Sequence, residues 1–143
     1  MGARLPMAGM IFVDSNIPMY VAGRDHPNRR PALRLLERAR AGELELCSST
    51  EVLQEILYRY VRLEQVELAA EVYDLFVAQC AVVLPVTIAD TDRARSLLRE
   101  VPGLGVRDAV HAAVMLENGI RTIATFDQAF TRISGIERLK LDG

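Results

Sequence analysis

The sequence predicts an α/β fold in which helices cover both faces of a central parallel sheet of four to five strands. The clearest sign is the apolar run Met10-Ile-Phe-Val13, which leads directly into Asp14 and is then broken by polar residues. A run without polar alternation is typical of a strand that is buried on both faces. Further short apolar runs alternate with segments of helical periodicity, a pattern that indicates a parallel sheet in a three-layer α/β/α sandwich.

Length and composition predict one domain over residues 10–143. The chain has 143 residues, of which 50% are hydrophobic and 25% charged, as in ordinary globular proteins. Residues 1–9 lack the apolar centre of a secretory signal, and Met7 and Met10 are alternative starts, so we treat 1–9 as a leader or a cloning remnant.

No apolar run approaches the length of a membrane span. Cys47 and Cys80 fit no metal or disulfide pattern and indicate a reduced, cytoplasmic protein.

The charge pattern leaves two interpretations of the basic residues open. A net charge of −2 argues against nucleic acid held by a strongly basic surface. Lys140 is the only lysine among 17 basic residues, and the other 16 are arginines. Arginine suits bidentate contacts to phosphate, but a GC-rich genome would produce the same bias without a functional reason.

Periodicity and breaker residues set the predicted elements. Strands are predicted at 10–13, 44–48, 81–86, 121–125 and, as a short fifth strand, 136–141. After a short helical turn that ends at Gly23, helices are predicted over 30–41, 50–63, 65–80, 87–100 and 106–117. Asn28, Ser49 or Thr50, and Thr87 are the predicted N-terminal caps. The helix over 106–117 is apolar nearly all round, which predicts that it is buried.

Parallel topology brings four acids to the carboxyl edge of this sheet. Asp14 and Asp127 lie at or just past the ends of the first and fourth strands. The helix that carries Glu55 starts directly after the second strand, and Asp108 lies in the first turn of the helix that returns to the fourth. Open α/β sheets bind their ligands at this edge. Carboxylates gathered without lysine repel one another, and a hard cation such as Mg²⁺ or Mn²⁺ is the usual resolution.

Taken singly, each of these acids has an ordinary structural explanation. Asp14 and Asp127 suit turns, Asp108 suits the positive end of a helix dipole, and Glu55 suits a solvated helix face. Periodicity also does not favour Glu55 over Glu51. His111, one turn after Asp108, is either a buried core histidine or a partner of a site carboxylate. The three helical tyrosines are predicted to be packing residues rather than base-stacking platforms: Tyr58, Tyr60 and Tyr73.

Four segments in this order and spacing resemble the PIN-domain family, and within it the VapC-type toxins of bacterial toxin–antitoxin pairs. The segments are Ile-Phe-Val-Asp-Ser-Asn (11–16), Glu-Val-Leu-Gln-Glu-Ile (51–56), Arg-Asp-Ala-Val-His-Ala-Ala (107–113) and Thr-Phe-Asp-Gln-Ala-Phe (125–130). The resemblance covers residues 10–143. It implies that Asp14, Glu55, Asp108 and Asp127 form the family's acidic quartet, and it is the reason to choose Glu55 over Glu51. It also implies that Ser15, Asn16 and Thr125 support these acids.

The resemblance further implies an Mg²⁺- or Mn²⁺-dependent endoribonuclease in which the quartet binds the metal. It implies a homodimer and a VapB-like antitoxin that inserts a tail into the acidic groove. Gly105 stands where the family often has a Ser or Thr helix cap. The alternative is a PIN-like fold that serves as a non-catalytic RNA- or protein-binding module. An aspartate-nucleophile phosphohydrolase is disfavoured, because it would need an acid at Asn16 and a lysine near the site.

Overall fold

The computed structural model describes Met7 and residues 9–142, which form a five-stranded parallel sheet flanked by helices. The strands are Ile11–Val13 (β1), Leu46–Ser49 (β2), Val82–Leu84 (β3), Thr122–Ala124 (β4) and Glu137–Arg138 (β5). Their order across the sheet is β3-β2-β1-β4-β5, and every neighbouring pair is parallel. The predicted three-layer α/β/α fold is therefore confirmed, including its short fifth strand.

Six α-helices and one 3₁₀ helix connect the strands in the described part of the chain. The α-helices are Asn16–Ala22 (α1), Arg29–Arg40 (α2), Thr50–Arg62 (α3), Val66–Gln79 (α4), Ile88–Glu100 (α5) and Val106–Glu117 (α6). The 3₁₀ helix, Gln128–Arg132, was not predicted. No helix among the described residues is both long and apolar enough to cross a bilayer.

The predicted leader lies mostly outside the described residues, at 1–6 and 8. Met7, which is described, packs against the core, and its carbonyl oxygen accepts a hydrogen bond from the Met10 N–H at 3.0 Å.

The central strand β1 is buried because strands flank it on both edges and helices cover both faces. Phe12 and Val13 are fully buried, as the unbroken apolar run predicts. The chain passes from β1 outward to β2 and β3 on one side, and later to β4 and β5 on the other. The connections therefore reverse direction between β1 and β4. This switch point opens a crevice at the carboxyl ends of the strands, and Asp14 is the first residue beyond β1.

Two local predictions differ from the structure. Asn28 stands at the start of α2, but its side chain makes no capping hydrogen bond; its N–H donates to Nδ1 of His26 at 3.0 Å. The helix α6 is buried along its middle but exposed at both ends: Val106 in its first turn is 65% exposed, and Glu117 at its last position is exposed as well. The first turn is exposed because Val106 and Arg107 border the pocket described below, so no packed layer covers them. Pro85 follows β3, which is an edge strand, where a residue without an N–H removes no ladder hydrogen bond.

A buried hydroxyl extends the pairing of β1 and β2 toward the crevice. The paired register ends with Phe12 opposite Cys47, and the fully buried Ser48 then donates from Oγ to the Val13 carbonyl oxygen at 2.9 Å. This bond satisfies the last carbonyl of β1, directly before Asp14. A buried carbonyl that loses its donor carries a desolvation cost.

We expect Ser48→Ala to lower the free energy of unfolding by about 1–3 kcal/mol, because it removes the donor to a buried carbonyl. Chemical denaturation followed by circular dichroism measures this. The matched control is Ser96→Ala, whose hydroxyl donates to the Asp92 carbonyl oxygen of its own helix at 3.4 Å. An equal, small effect for both variants would contradict a structural role for Ser48.

Candidate metal centre

A pocket of about 770 Å³ opens at the carboxyl ends of β1 and β4. All four predicted acids line it, together with Ser15 and Asn16. The structure therefore brings together residues that are separated by as much as 113 positions in the chain. The other lining residues come from α1, α3 and the start of α6: Met19, Tyr58, Arg59, Arg62, Leu63, Gly105, Val106 and Arg107.

Asp14 is held by hydrogen bonds on both carboxylate oxygens. The Ser15 N–H donates to Oδ1 at 2.7 Å, and the Thr125 hydroxyl donates to Oδ2 at 2.7 Å. The Asn16 amide lies 3.4 Å from Oδ2 and also donates to the Thr125 hydroxyl at 3.1 Å. Asp14 is only 5% exposed, and this burial raises its pKa against the opposing effects of His111 and Thr125. Ser15, Asn16 and Thr125 thus all contact Asp14; their supporting role remains a prediction.

Glu55 is buried and receives hydrogen bonds from three side chains. Ser15 donates to Oε2 at 3.0 Å, His111 Nε2 lies 2.5 Å from Oε1, and Arg107 donates to Oε2 at 3.3 Å. Burial alone would raise the pKa of Glu55, but the His111 hydrogen bond and charge, with smaller effects of Ser15 and Arg107, lower it. The solvated-face interpretation of Glu55 is therefore wrong. Glu51 is half-buried and does not line the pocket.

His111 lies behind the pocket lining, against both Asp14 and Glu55. It is 1% exposed, and Nε2 is 3.7 Å from Asp14 Oδ1. Burial opposes protonation, but the Glu55 hydrogen bond and the nearby carboxylate charges raise the pKa of His111 above its ordinary value. Both interpretations of His111 hold, since it is a core histidine that also binds a site carboxylate. Its Nδ1 is buried without a hydrogen-bond partner among the described residues.

Asp108 and Asp127 form the second half of the acid cluster. Asp108 is half-buried in the first turn of α6 and lines the pocket together with Asp127. Burial raises the pKa of Asp108 most, and the negative charges of Asp127 and Asp14 add to it, so that the pKa is raised to about 6. Asp127 also accepts the Ala129 N–H at 2.9 Å and caps the 3₁₀ helix, so its structural explanation is correct as well. Gly105 precedes α6 without a side-chain cap.

The donor atoms of this pocket fit a hard divalent cation. Asp14, Glu55 and His111 each offer one ligand atom, and these atoms lie within 4.8 Å of one another. Asp108 and Asp127 add two further carboxylates to the same pocket. A set dominated by carboxylate oxygens suits Mg²⁺ or Mn²⁺ better than softer metals. Because His111 already bonds to Glu55, its position suits a residue that orients a ligand carboxylate.

Basic and aromatic side chains form the outer wall of the pocket, which sequence analysis did not predict. Arg59, Arg62 and Arg107 line it. Tyr58 is 60% exposed, and Arg62 donates to its hydroxyl at 3.2 Å, with the guanidinium carbon 5.7 Å from the ring centroid. The prediction that Tyr58 packs internally is wrong, whereas it is correct for the buried Tyr60. The spacing of Tyr58 and Arg62, one helical turn apart, was the available signal.

Comparison with known proteins decides the family. The PIN domain profile matches residues 11–136, almost the whole described chain. The chain belongs to the PIN-domain family. Within the family, it is 42% identical over 130 residues to ribonuclease VapC13 of Mycobacterium tuberculosis, covering 91% of this chain and 99% of that protein. It is 41% identical over 118 residues to ribonuclease VapC23 of the same species, covering 82% and 93%. The VapC resemblance is thereby confirmed.

Solved structures share the fold of this PIN domain. VapC20 of Mycobacterium tuberculosis, described as a toxin that cleaves the sarcin-ricin loop, superposes with a TM-score of 0.73 at 22% identity, covering 88% of this chain and 96% of that one. A chain of the DNA-bound VapBC2 complex of Rickettsia felis gives a TM-score of 0.72 at 20% identity, covering 93% and 99%. At this level of identity the likeness shows the α/β/α fold.

The raised pKa of Asp108 predicts a pH-dependent cost to stability in metal-free protein. Burial and the neighbouring carboxylates raise the pKa of Asp108 from 3.8 to about 6, so the folded chain loses stability as the pH rises from about 4 to about 6, and the loss is complete above that range. In EDTA, we expect Asp108→Asn to have the higher Tm at about pH 7.5, and the difference to shrink toward about pH 5.

Asp74→Asn is the matched control, because Asp74 is an exposed acid on α4. Thermal scans of both variants and the wild-type protein across this pH range provide the measurement. If the Asp108→Asn and wild-type curves stay parallel, the carboxylates of the pocket do not repel one another as described.

Proposed function

We propose that this PIN domain is a divalent-metal-dependent endoribonuclease and the toxin of a VapBC-like toxin–antitoxin pair. The observation that carries the proposal is the pocket in which four carboxylates face three arginines. Relatives that are 41–42% identical and cover most of the chain are named ribonucleases, which supports RNA as the substrate. The proposed metal ligands are Asp14, Glu55, Asp108 and Asp127.

The charge of the pocket supports an anionic substrate only when a cation is present. Four carboxylates and three guanidinium groups leave one net negative charge in the lining. One Mg²⁺ or Mn²⁺ would make the balance positive, so that a phosphodiester is attracted to the same place. This explains how a chain with a net charge of −2 can act on RNA without a strongly basic surface.

The contacts of each side chain indicate its role in the proposed reaction. Asp14, Glu55, Asp108 and Asp127 would hold the divalent cation, which would supply an acidified water as the nucleophile and offset charge on the leaving oxygen. Ser15, Asn16 and Thr125 hold the Asp14 carboxylate in one orientation through the bonds described above. His111 holds Glu55 from behind the pocket and favours its ionised form, which is the form that binds metal. Asp108 and Asp127 supply the other two carboxylates of the pocket.

The proposed antitoxin partner is suggested by solved structures with a similar fold. Similar folds occur in VapBC complexes of Rickettsia felis and Salmonella typhimurium, both bound to DNA. We therefore propose that a VapB-like antitoxin binds this chain, whereas the homodimer remains the prediction made from the family resemblance. A cytoplasmic location remains the prediction made from the cysteines.

We expect the purified protein to cleave single-stranded RNA in Mg²⁺ or Mn²⁺ and to stop in EDTA, because only a cation makes the pocket attractive to phosphate. Gel analysis of labelled RNA incubated with and without chelator provides the measurement. Undiminished cleavage in EDTA, with no metal retained by the protein, would contradict the mechanism. RNA binding without cleavage in either metal would favour the non-catalytic module.

The same assay separates Glu55 from Glu51 with two matched variants. We expect Glu55→Gln to reduce cleavage by about two orders of magnitude or more, since the amide removes a charged ligand from the pocket. Glu51→Gln should leave cleavage near the wild-type rate and cost only about 0.3–1 kcal/mol of helix-dipole stabilisation. Circular dichroism confirms that both are folded. The reverse outcome would move the proposed ligand to Glu51.

A further inference from the structure

Arg107 makes an unusual contact for an exposed residue, because it bonds to a carboxylate that is otherwise buried. Its side chain is 69% exposed, whereas the Glu55 side chain is 10% exposed, and their Nη1 and Oε2 atoms are 3.3 Å apart. Arg107 lies in the first turn of α6, beside Asp108 at the mouth of the pocket. An ion pair this exposed contributes little to stability, so the fold does not require Arg107.

Metal binding and the Arg107 contact compete for the same oxygen. Glu55 Oε2 accepts from Ser15 and Arg107, while Oε1 faces His111. A cation that binds Glu55 through Oε2 replaces one of the two donors on that oxygen. Ser15 and His111 are 7% and 1% exposed, and without Glu55 each would keep only a longer contact to Asp14 Oδ1, at 3.5 Å and 3.7 Å, so displacing either of them is costly. Arg107 can turn to water at little cost, so it is the donor that leaves.

We propose that Arg107 is a phosphate-binding residue that pairs with Glu55 until a cation takes that oxygen and then binds the RNA backbone. This inference rests on the proposed function. A released guanidinium group would remain at the pocket that holds the acids, whose lining also includes Arg59 and Arg62. A phosphate that contacts the cation therefore comes within reach of Arg107, whose planar fork suits two phosphate oxygens.

The first test measures metal affinity without any catalysis. We expect Arg107→Gln to bind Mn²⁺ about tenfold more tightly than the wild-type protein in calorimetric titration, because a competing positive charge is removed. The charge-matched control is Arg38→Gln, whose exposed partner Glu43 lies outside the pocket. It should bind Mn²⁺ as the wild-type protein does. Unchanged or weaker Mn²⁺ binding by Arg107→Gln would overturn the competition.

The second test measures RNA cleavage at saturating Mn²⁺. We expect kcat/KM of Arg107→Gln to fall about 10- to 100-fold, mainly through KM, and to recover partly in Arg107→Lys. The slope of log(1/KM) against log salt should become shallower by about 0.7, as expected for one lost phosphate contact on a single strand. Since the same variant binds metal more tightly, loss of metal cannot explain slower cleavage.

The outcomes separate this inference from the function on which it rests. If the wild-type protein binds Mn²⁺ but does not cleave RNA, the proposed function fails and the inference fails with it. If the wild-type protein cleaves RNA and Arg107→Gln cleaves it equally fast, only the role of Arg107 is overturned. The ion pair between Arg107 and Glu55 then has no part in binding RNA.

Discussion

The burial of Asp14 at the end of the central strand is the constraint on which the site depends. A carboxylate that is 5% exposed is stable only if other groups satisfy its oxygens. Here the Ser15 N–H and the Thr125 hydroxyl do so, from the ends of two adjacent strands. The hydrogen bonds that make burial tolerable also fix the carboxylate in position. Asp14 is therefore pre-organised by the same sheet that forms the core.

The remaining acids divide into two groups with opposite electrostatics. Glu55 has His111, Ser15 and Arg107 as donors, and its pKa is lowered, so it is ionised without a metal. Asp108 faces other carboxylates, and its pKa is raised to about 6. One side of the pocket is thus stabilised by the chain itself, while the other retains a repulsion that a cation would relieve. We infer that cation binding should stabilise the folded protein chiefly through the side that contains Asp108 and Asp127.

Sequence reasoning predicted the sheet, most helices and the meeting of four acids, because these follow from apolar periodicity and parallel topology. It did not predict the burial of Glu55, since a flanking helix position becomes buried only when another helix covers it. The contact between Arg107 and Glu55 joins residues 52 positions apart, and no local pattern indicates it. The choice of Glu55 over Glu51 came from family resemblance, and the pocket geometry now supplies a physical reason for it.

The central claim is that this pocket is a carboxylate site for a divalent cation. Anomalous diffraction from crystals soaked in Mn²⁺ tests it directly. We expect a peak within about 2.0–2.3 Å of carboxylate oxygens of Asp14 and at least one other acid of the quartet. The Arg107 guanidinium group should have left Glu55. A saturating soak that gives no peak in this pocket, or a peak only elsewhere, would contradict the account.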